Sequence, residues 1–326
     1  VTVILDGPDV VFAGPSSGSG SPESEPEVVV SIDGFLMPAV ADRHVHVGLS
    51  SPAAILAGGV TAVRDLGWPQ AAVAPMVAAS GGAGFDGPRI KAVGPMITAR
   101  GGYPSRAAWA PVGTGVEVVG AAEAAEVAGK AAAAASARAV KVALNADAGP
   151  VLRDDELVAV CEAAHQAGAA VTVHAQGRGQ PERALGAGAD ELAHCPWSER
   201  LTDGVVRAMA SRMRIVSTLD IHSHGQETPE LTVALDNLRR FAAAGGRIAY
   251  GTDLGNGPIP PGIHRGEAAH LAAAGLSVEA ILGAMAFGPL TPGAPADLVA
   301  LRGNPFDDLT ELDDVVFVMR GGLRVR

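Results

Sequence analysis

The feature that most constrains this chain is an alternation of short β-rich runs with helical stretches, sustained from residue 37 to residue 253. Such alternation is produced by successive βα units wound about a parallel sheet. Eight β runs are read: 37–47, 60–66, 89–97, 138–144, 169–175, 190–195, 214–220 and 247–253. The clearest helix is 154–168, with acids at its start, apolar residues at helical spacing and Gly168 as a stop. Eight units favour an α/β fold of the closed (β/α)8 TIM-barrel type over an open sheet.

The flanks are different. Residues 1–13 and 28–33 are β-rich and separated by the Gly/Ser/Pro/Glu tract 14–26, which reads as a hairpin with a loose tip. Short β-rich runs recur at 296–301, 315–320 and 323–326. The two ends are therefore expected to meet in one small sheet, a β-sandwich-like domain built from 1–36 and 291–326 beside a barrel over 37–290.

With 326 residues, 48% of them apolar, the chain can bury a large core. A net charge of −11 and a pI near 5.2 leave no basic stripe for nucleic acid or an anionic membrane, so a small-molecule substrate is expected, and a homo-oligomer is allowed. Cys161 and Cys195 read as buried thiols in a reducing, cytoplasmic setting. The first residues lack the basic and apolar regions of an export signal, and the Ala-rich 121–139 is broken by charges, as in an ordinary helix rather than a membrane span.

His44 and His46, two apart on the first β run, share one face of a strand. Alone they are weak evidence, and two incidental polar residues at a strand end account for them better. Lys141, His174, His194 and Asp253, however, each fall late in their own β run, and in a barrel those ends converge on one mouth. Imidazoles and a carboxylate suit a divalent metal, with zinc expected, as one or two ions. Lys141 is one of only three lysines, set in the apolar AVKVAL. Burial lowers the pKa of such an amine, and the neutral amine can add carbon dioxide to become a bridging carbamate. The alternative is a lysine snorkelling to the rim.

These motifs resemble the amidohydrolase superfamily. MPAVADRHVH is similar to its PGxxDxHxH opening, and AILAGGVTAVRDLG, HAQGRGQPERALGAGADELAHC, GTD and PADLVALRGNPF continue the likeness to the end of the chain. The branch resembled is the imidazolonepropionase-like and prolidase-like one, which includes Xaa-Pro and Xaa-Arg dipeptidases. The resemblance implies that His44, His46 and Asp253 hold a buried metal, that His174 and His194 hold a more exposed one, and that carboxylated Lys141 bridges them. It also implies catalytic roles: Asp253 as proton shuttle, and His194 or the second metal as the group polarising the carbonyl. Asp42, just before the HxH, would act from behind the ligands.

The chain departs from this pattern in places. Tyr103 follows Gly101 and Gly102 where many relatives have a histidine, and it is a candidate to donate to a substrate oxygen. Ala39 replaces a glycine, Arg43 is unusually bulky between Asp42 and His44, and 286–298 is short. Arg178, His222 and His264 are further substrate-contact candidates, while His224 repeats the HxH spacing with His222. His165 and His270 read as packing or solvent-facing helix residues, and Arg64 with Asp65 as an internal ion pair or rim contact. The expected reaction is hydrolysis of an amide in a dipeptide-like or cyclic substrate. A phosphotriesterase- or lactonase-type hydrolase and a silent metal-binding homologue are the alternatives.

Overall fold

The computed structural model describes residues 1–15, 28–82, 84–223 and 225–326. Strands run in the order β1 (Thr2–Asp6), β2 (Asp9–Gly14), β3 (Phe35–Pro38), β4 (Val40–Val45), β5 (Val60–Asp65), β6 (Arg89–Ala92), β7 (Met96–Ala99) and β8 (Gly115–Val118). They continue with β9 (Ala139–Asn145), β10 (Ala170–Gln176), β11 (Glu191–Leu192), β12 (Arg214–Val216), β13 (Arg247–Ala249), β14 (Leu298–Leu301), β15 (Val315–Arg320) and β16 (Leu323–Arg324). The helices are α1 (Pro52–Ala57), α2 (Gln70–Ser80), α3 (Ala121–Ala134), α4 (Asp154–Gln166), α5 (Gln180–Gly186), α6 (Asp203–Arg212), α7 (Pro229–Ala243), α8 (Arg265–Ala273) and α9 (Val278–Met285).

All eight expected β runs contain strands, and their pairing is parallel. They form consecutive arcs of one TIM-type barrel. One arc is β4-β5-β6 and the other is β13-β12-β11-β10-β9-β7-β8. The ladder does not close into a single ring. β6 and β7 are two halves of the third run, broken at Val93–Pro95, and each half pairs into a different arc. At the far edge the arcs meet through main-chain bonds from Arg43 N to Tyr250 O, Asp253 N to His44 O and His46 N to Leu254 O, at 3.1, 2.8 and 2.8 Å. Those bonds set the first and eighth runs side by side. β8, which the sequence reading did not anticipate, extends the second arc beyond β7.

Local sequence explains the elements. α4 begins on Asp154, Asp155 and Glu156, and Glu156 Oε2 accepts from Arg153 N at 2.8 Å, so the acids satisfy free N–H groups and face the positive helix end. It ends where Gly168, at φ +71, lets the chain turn back, with Gly168 N bonded to His165 O and Ala169 N to Ala164 O. The strands of the barrel wall are apolar and buried, β9 and β10 above all, as expected of strands covered on both faces.

The ends of the chain pair differently from the expectation. β14, β15 and β16 form one antiparallel sheet, and its N-terminal member is β3, from Leu298↔Pro38 to Leu301↔Phe35. β1 and β2 make a separate hairpin, turned at Gly7 with φ +54. Gly-Pro-Asp at 7–9 therefore closes a tight turn inside the β-rich run 1–13, which the sequence reads as one arm of a longer hairpin. Residues 28–33 carry no strand, and the tract 16–27 lies outside the described residues. The hairpin is fastened to the C-terminal segment by Val10 N to Ala294 O, Gly293 N to Val10 O and Ala296 N to Pro8 O. Among the described residues no helix is long and apolar enough to cross a membrane.

Candidate metal centre

β4 delivers His44 at its end and His46 just beyond it, both on one face and both buried. Arg43, just before His44, projects the other way and donates to Ala284 O and Ala286 O at 2.7 Å each, at the end of α9. Its bulk is thus accommodated outside the mouth. Asp253 follows β13 with a backbone φ of +60, a conformation uncommon for side chains other than Asn and Asp. Its Oδ1 lies 3.1 Å from His44 Nε2 and 3.2 Å from His46 Nε2. These are the three residues among those described whose ligand atoms all fall within 4.8 Å of one another.

Each imidazole spends one nitrogen on the protein. His44 Nδ1 meets Ala193 O at 2.8 Å, His46 Nδ1 meets Gly67 O at 3.1 Å, and a carbonyl can only accept. Both Nε2 atoms therefore present lone pairs toward Asp253 Oδ1, which is buried and has no hydrogen-bond partner. Three electron-rich atoms facing one another out of water repel unless a cation lies among them. The donor set fits a divalent ion.

His174 and His194 complete a chain of rings. Centroids lie 4.6 Å apart for His44 and His194 and 4.8 Å for His174 and His194. His194 Nδ1 is 2.9 Å from Thr218 Oγ1, and His174 Nε2 is 3.3 Å from Gln176 Oε1. Burial lowers the pKa of both rings, His174 to about 3, so both are neutral and each keeps one nitrogen for a ligand role. Lys141 Nζ is buried among them with no hydrogen-bond partner, and burial brings its pKa down to about 7. It does not snorkel to the rim.

Asp42 is buried behind this set. It accepts from His44 N at 3.0 Å, Thr252 N at 3.1 Å and Thr252 Oγ1 at 2.5 Å, tying the strand that carries His44 to the segment that carries Asp253. Burial raises its pKa to about 7.

A cavity of about 220 Å³ opens over these residues, lined also by Met96, Tyr103, Asn145, Gln176, Trp197, Ile221, His222 and Asn256. Tyr103 stacks on His174 at 5.2 Å and accepts from Trp109 Nε1 at 3.2 Å, while Trp109 packs on His46 at 4.8 Å. His222 stacks on Trp197 at 4.2 Å. Two other expected substrate contacts are not at the cavity. Arg178 is 91% exposed at its side chain and 3.7 Å from Glu199. His264 caps α8 and is drawn to Asp220 at 2.6 Å. His224 lies outside the described residues. His165, half exposed, pairs with Asp190, whereas His270 joins Asp220 rather than facing solvent. Arg64 pairs with Glu191, not with Asp65, which accepts from Val47 N and Gly67 N.

Trp109 and Trp197 were missed by sequence reasoning. Trp197 stood three residues after His194, a proximity that was the available signal; Trp109 gave none, since its approach to His46 is made by a long loop.

A barrel whose strand ends gather four imidazoles, a lysine and two carboxylates defines a class of metal-dependent hydrolases, and comparison with known proteins agrees. The chain belongs to the amidohydrolase family, whose profile matches residues 35–325. It is a hydrolase acting on C–N bonds. Comparison by sequence with curated proteins finds no match. Among solved structures, a Xaa-Pro dipeptidase with methionine bound in its active site is similar at a TM-score of 0.81 and 21% identity, over 99% of this chain and 94% of that one. The ochratoxinase of A. niger is similar at 0.76 and 20%, over 99% and 91%. Phenylurea hydrolase B is similar at 0.76 and 17%, over 99% and 92%.

Proposed function

We propose that this protein hydrolyses an amide bond in a small dipeptide-like or cyclic amide substrate, at a centre of one or two divalent ions, zinc by preference. The observation that carries the reading is the convergence of His44 Nε2, His46 Nε2 and the partnerless Asp253 Oδ1 in a buried pocket. His44, His46 and Asp253 would hold the inner ion, and His174 and His194 the outer one. Lys141 would bridge them as a carbamate: the neutral Nζ attacks carbon dioxide, forming an N–C bond and releasing a proton. Such ions, when bound, polarise a carbonyl and bring the pKa of water toward about 7.

The chain's own groups do the rest. Asp253, whose carboxylate the ion it helps to hold would keep ionised, takes the proton of the attacking water and passes it to the leaving nitrogen. His194 would polarise the substrate oxygen. Tyr103, whose phenol burial keeps protonated, and His222 contact the substrate from the wall. Asp42 orients the ligand-bearing segments. In this reading the catalytic unit is the barrel, 37–290, with 1–36 and 291–326 as a supporting domain. Two buried free cysteines accord with a cytoplasmic location.

The test is a zinc titration followed by a substrate panel of blocked and free dipeptides, cyclic amides, lactones and phosphotriesters. Zinc-dependent cleavage of an amide supports the proposal. Turnover of a phosphotriester or lactone with no amide cleaved overturns it, as does zinc binding without turnover of any of them.

A further inference from the structure

A second knot of ionisable side chains lies behind the loop that follows β12. Residues 217–223 present Thr218, whose hydroxyl meets His194 Nδ1, together with the cavity-lining Ile221 and His222. Two carboxylates cross between this loop and α8. Glu267, on α8 and buried, accepts from Leu219 N at 2.7 Å and Asp220 N at 2.9 Å. Asp220, in the loop, accepts in the opposite direction from His264 Nε2 at 2.6 Å and His270 Nε2 at 3.0 Å, and from Ser223 Oγ at 2.5 Å. Hydrogen bonds to ionised acceptors are the strong ones. Space is reserved for the contact, since a Cβ on Gly266 would lie 3.0 Å from His264 Nε2 and 3.3 Å from Asp220 Oδ2.

We propose that Asp220 and Glu267 form a reciprocal clasp between the 217–223 loop and α8, and that Asp220 with His264 is a positioning pair for Thr218 and His222. Neither carboxylate lines the cavity, so the pair acts only through the loop. The loop needs holding: Thr218 has a backbone φ of +41, which side chains rarely adopt, and the two N–H groups that follow it are those captured by Glu267. Released, Thr218 leaves His194 and His222 leaves the face of Trp197.

The experiment compares the parent with Asp220→Ala, His264→Ala and His264→Gln. Two readouts are independent of turnover: the emission due to Trp197, taken as the difference from the same protein carrying Trp197→Phe, and affinity for zinc. Both alanine variants are expected to change the Trp197 emission and to bind zinc on the order of 10-fold more weakly. His264→Gln keeps an N–H donor toward Asp220 and restores both. Parental emission and zinc affinity in the two alanine variants, whatever their Tm, overturn the clasp. If Asp220→Ala does not fold, His264→Ala, which leaves the loop sequence intact, decides alone. Only the zinc readout rests on the proposed function, so a parent that binds no zinc defeats that function while the emission still judges the clasp.

Discussion

Asp253 works at close quarters with two imidazoles, and its two oxygens are differently engaged. Oδ2 accepts from Asn256 Nδ2 at 2.9 Å, which leaves Oδ1 to face the histidines. Replacing it by Asn keeps an oxygen ligand and removes the base. Turnover of Asp253→Asn is expected to fall on the order of 10² to 10⁴-fold with zinc content largely kept, as measured by single-turnover kinetics and elemental analysis; unchanged turnover would take Asp253 out of proton transfer. Lys141→Ala is expected to lower zinc stoichiometry, with partial rescue by a short added carboxylate. The same stoichiometry in variant and parent would end the bridging role.

Between elements, side chains do the fastening. Arg43 ties β4 to the last carbonyls of α9, so Arg43→Ala is expected to lower stability by about 1–3 kcal/mol in urea titrations while zinc stoichiometry stays parental. The Asp220–His264 contact has a definite dependence on pH. Hydrogen bonds from His264 and His270 hold the Asp220 carboxyl far below its ordinary value, so its contribution is complete above about pH 4 and is lost as pH falls below that. Burial lowers the His264 pKa, but Asp220 outweighs it and the net shift is upward, so its contribution is complete below about pH 6.5 and is lost as pH rises through the raised value. The Tm gap between the parent and Asp220→Ala should therefore be widest between those limits and narrow on both sides. A gap that is constant from pH 3 to about pH 9 would contradict the ion-pair account.

At the scale of the molecule, metal and fold are linked: zinc at 100 times its Kd should add roughly 2.7 kcal/mol to stability, and a chelator should remove it, both visible in thermal melts. The same scale shows what the sequence made legible. Barrel strands could be read because apolar runs of Val, Ile and Ala repeat with helices between them, and the candidate ligands because each stands late in such a run. β8 and the 2–14 hairpin escaped because four-residue strands and a Gly-Pro-Asp turn look alike in a β-rich stretch. Trp109, Glu191 and the Asp220 clasp escaped for another reason. Their partners, His46, Arg64 and His264, are distant in sequence, and only the folded barrel brings them together.

β4 points His44 and His46 into the mouth and Arg43 out toward α9. A slip of one residue in its pairing would exchange them, setting a guanidinium where imidazoles belong and leaving α9 uncapped. A barrel misthreaded in this way would offer the proposed ion no imidazole pair from β4. If the proposed centre takes up zinc, loading would double as proofreading of assembly, because a zinc-bound molecule would have its first barrel strand docked in register.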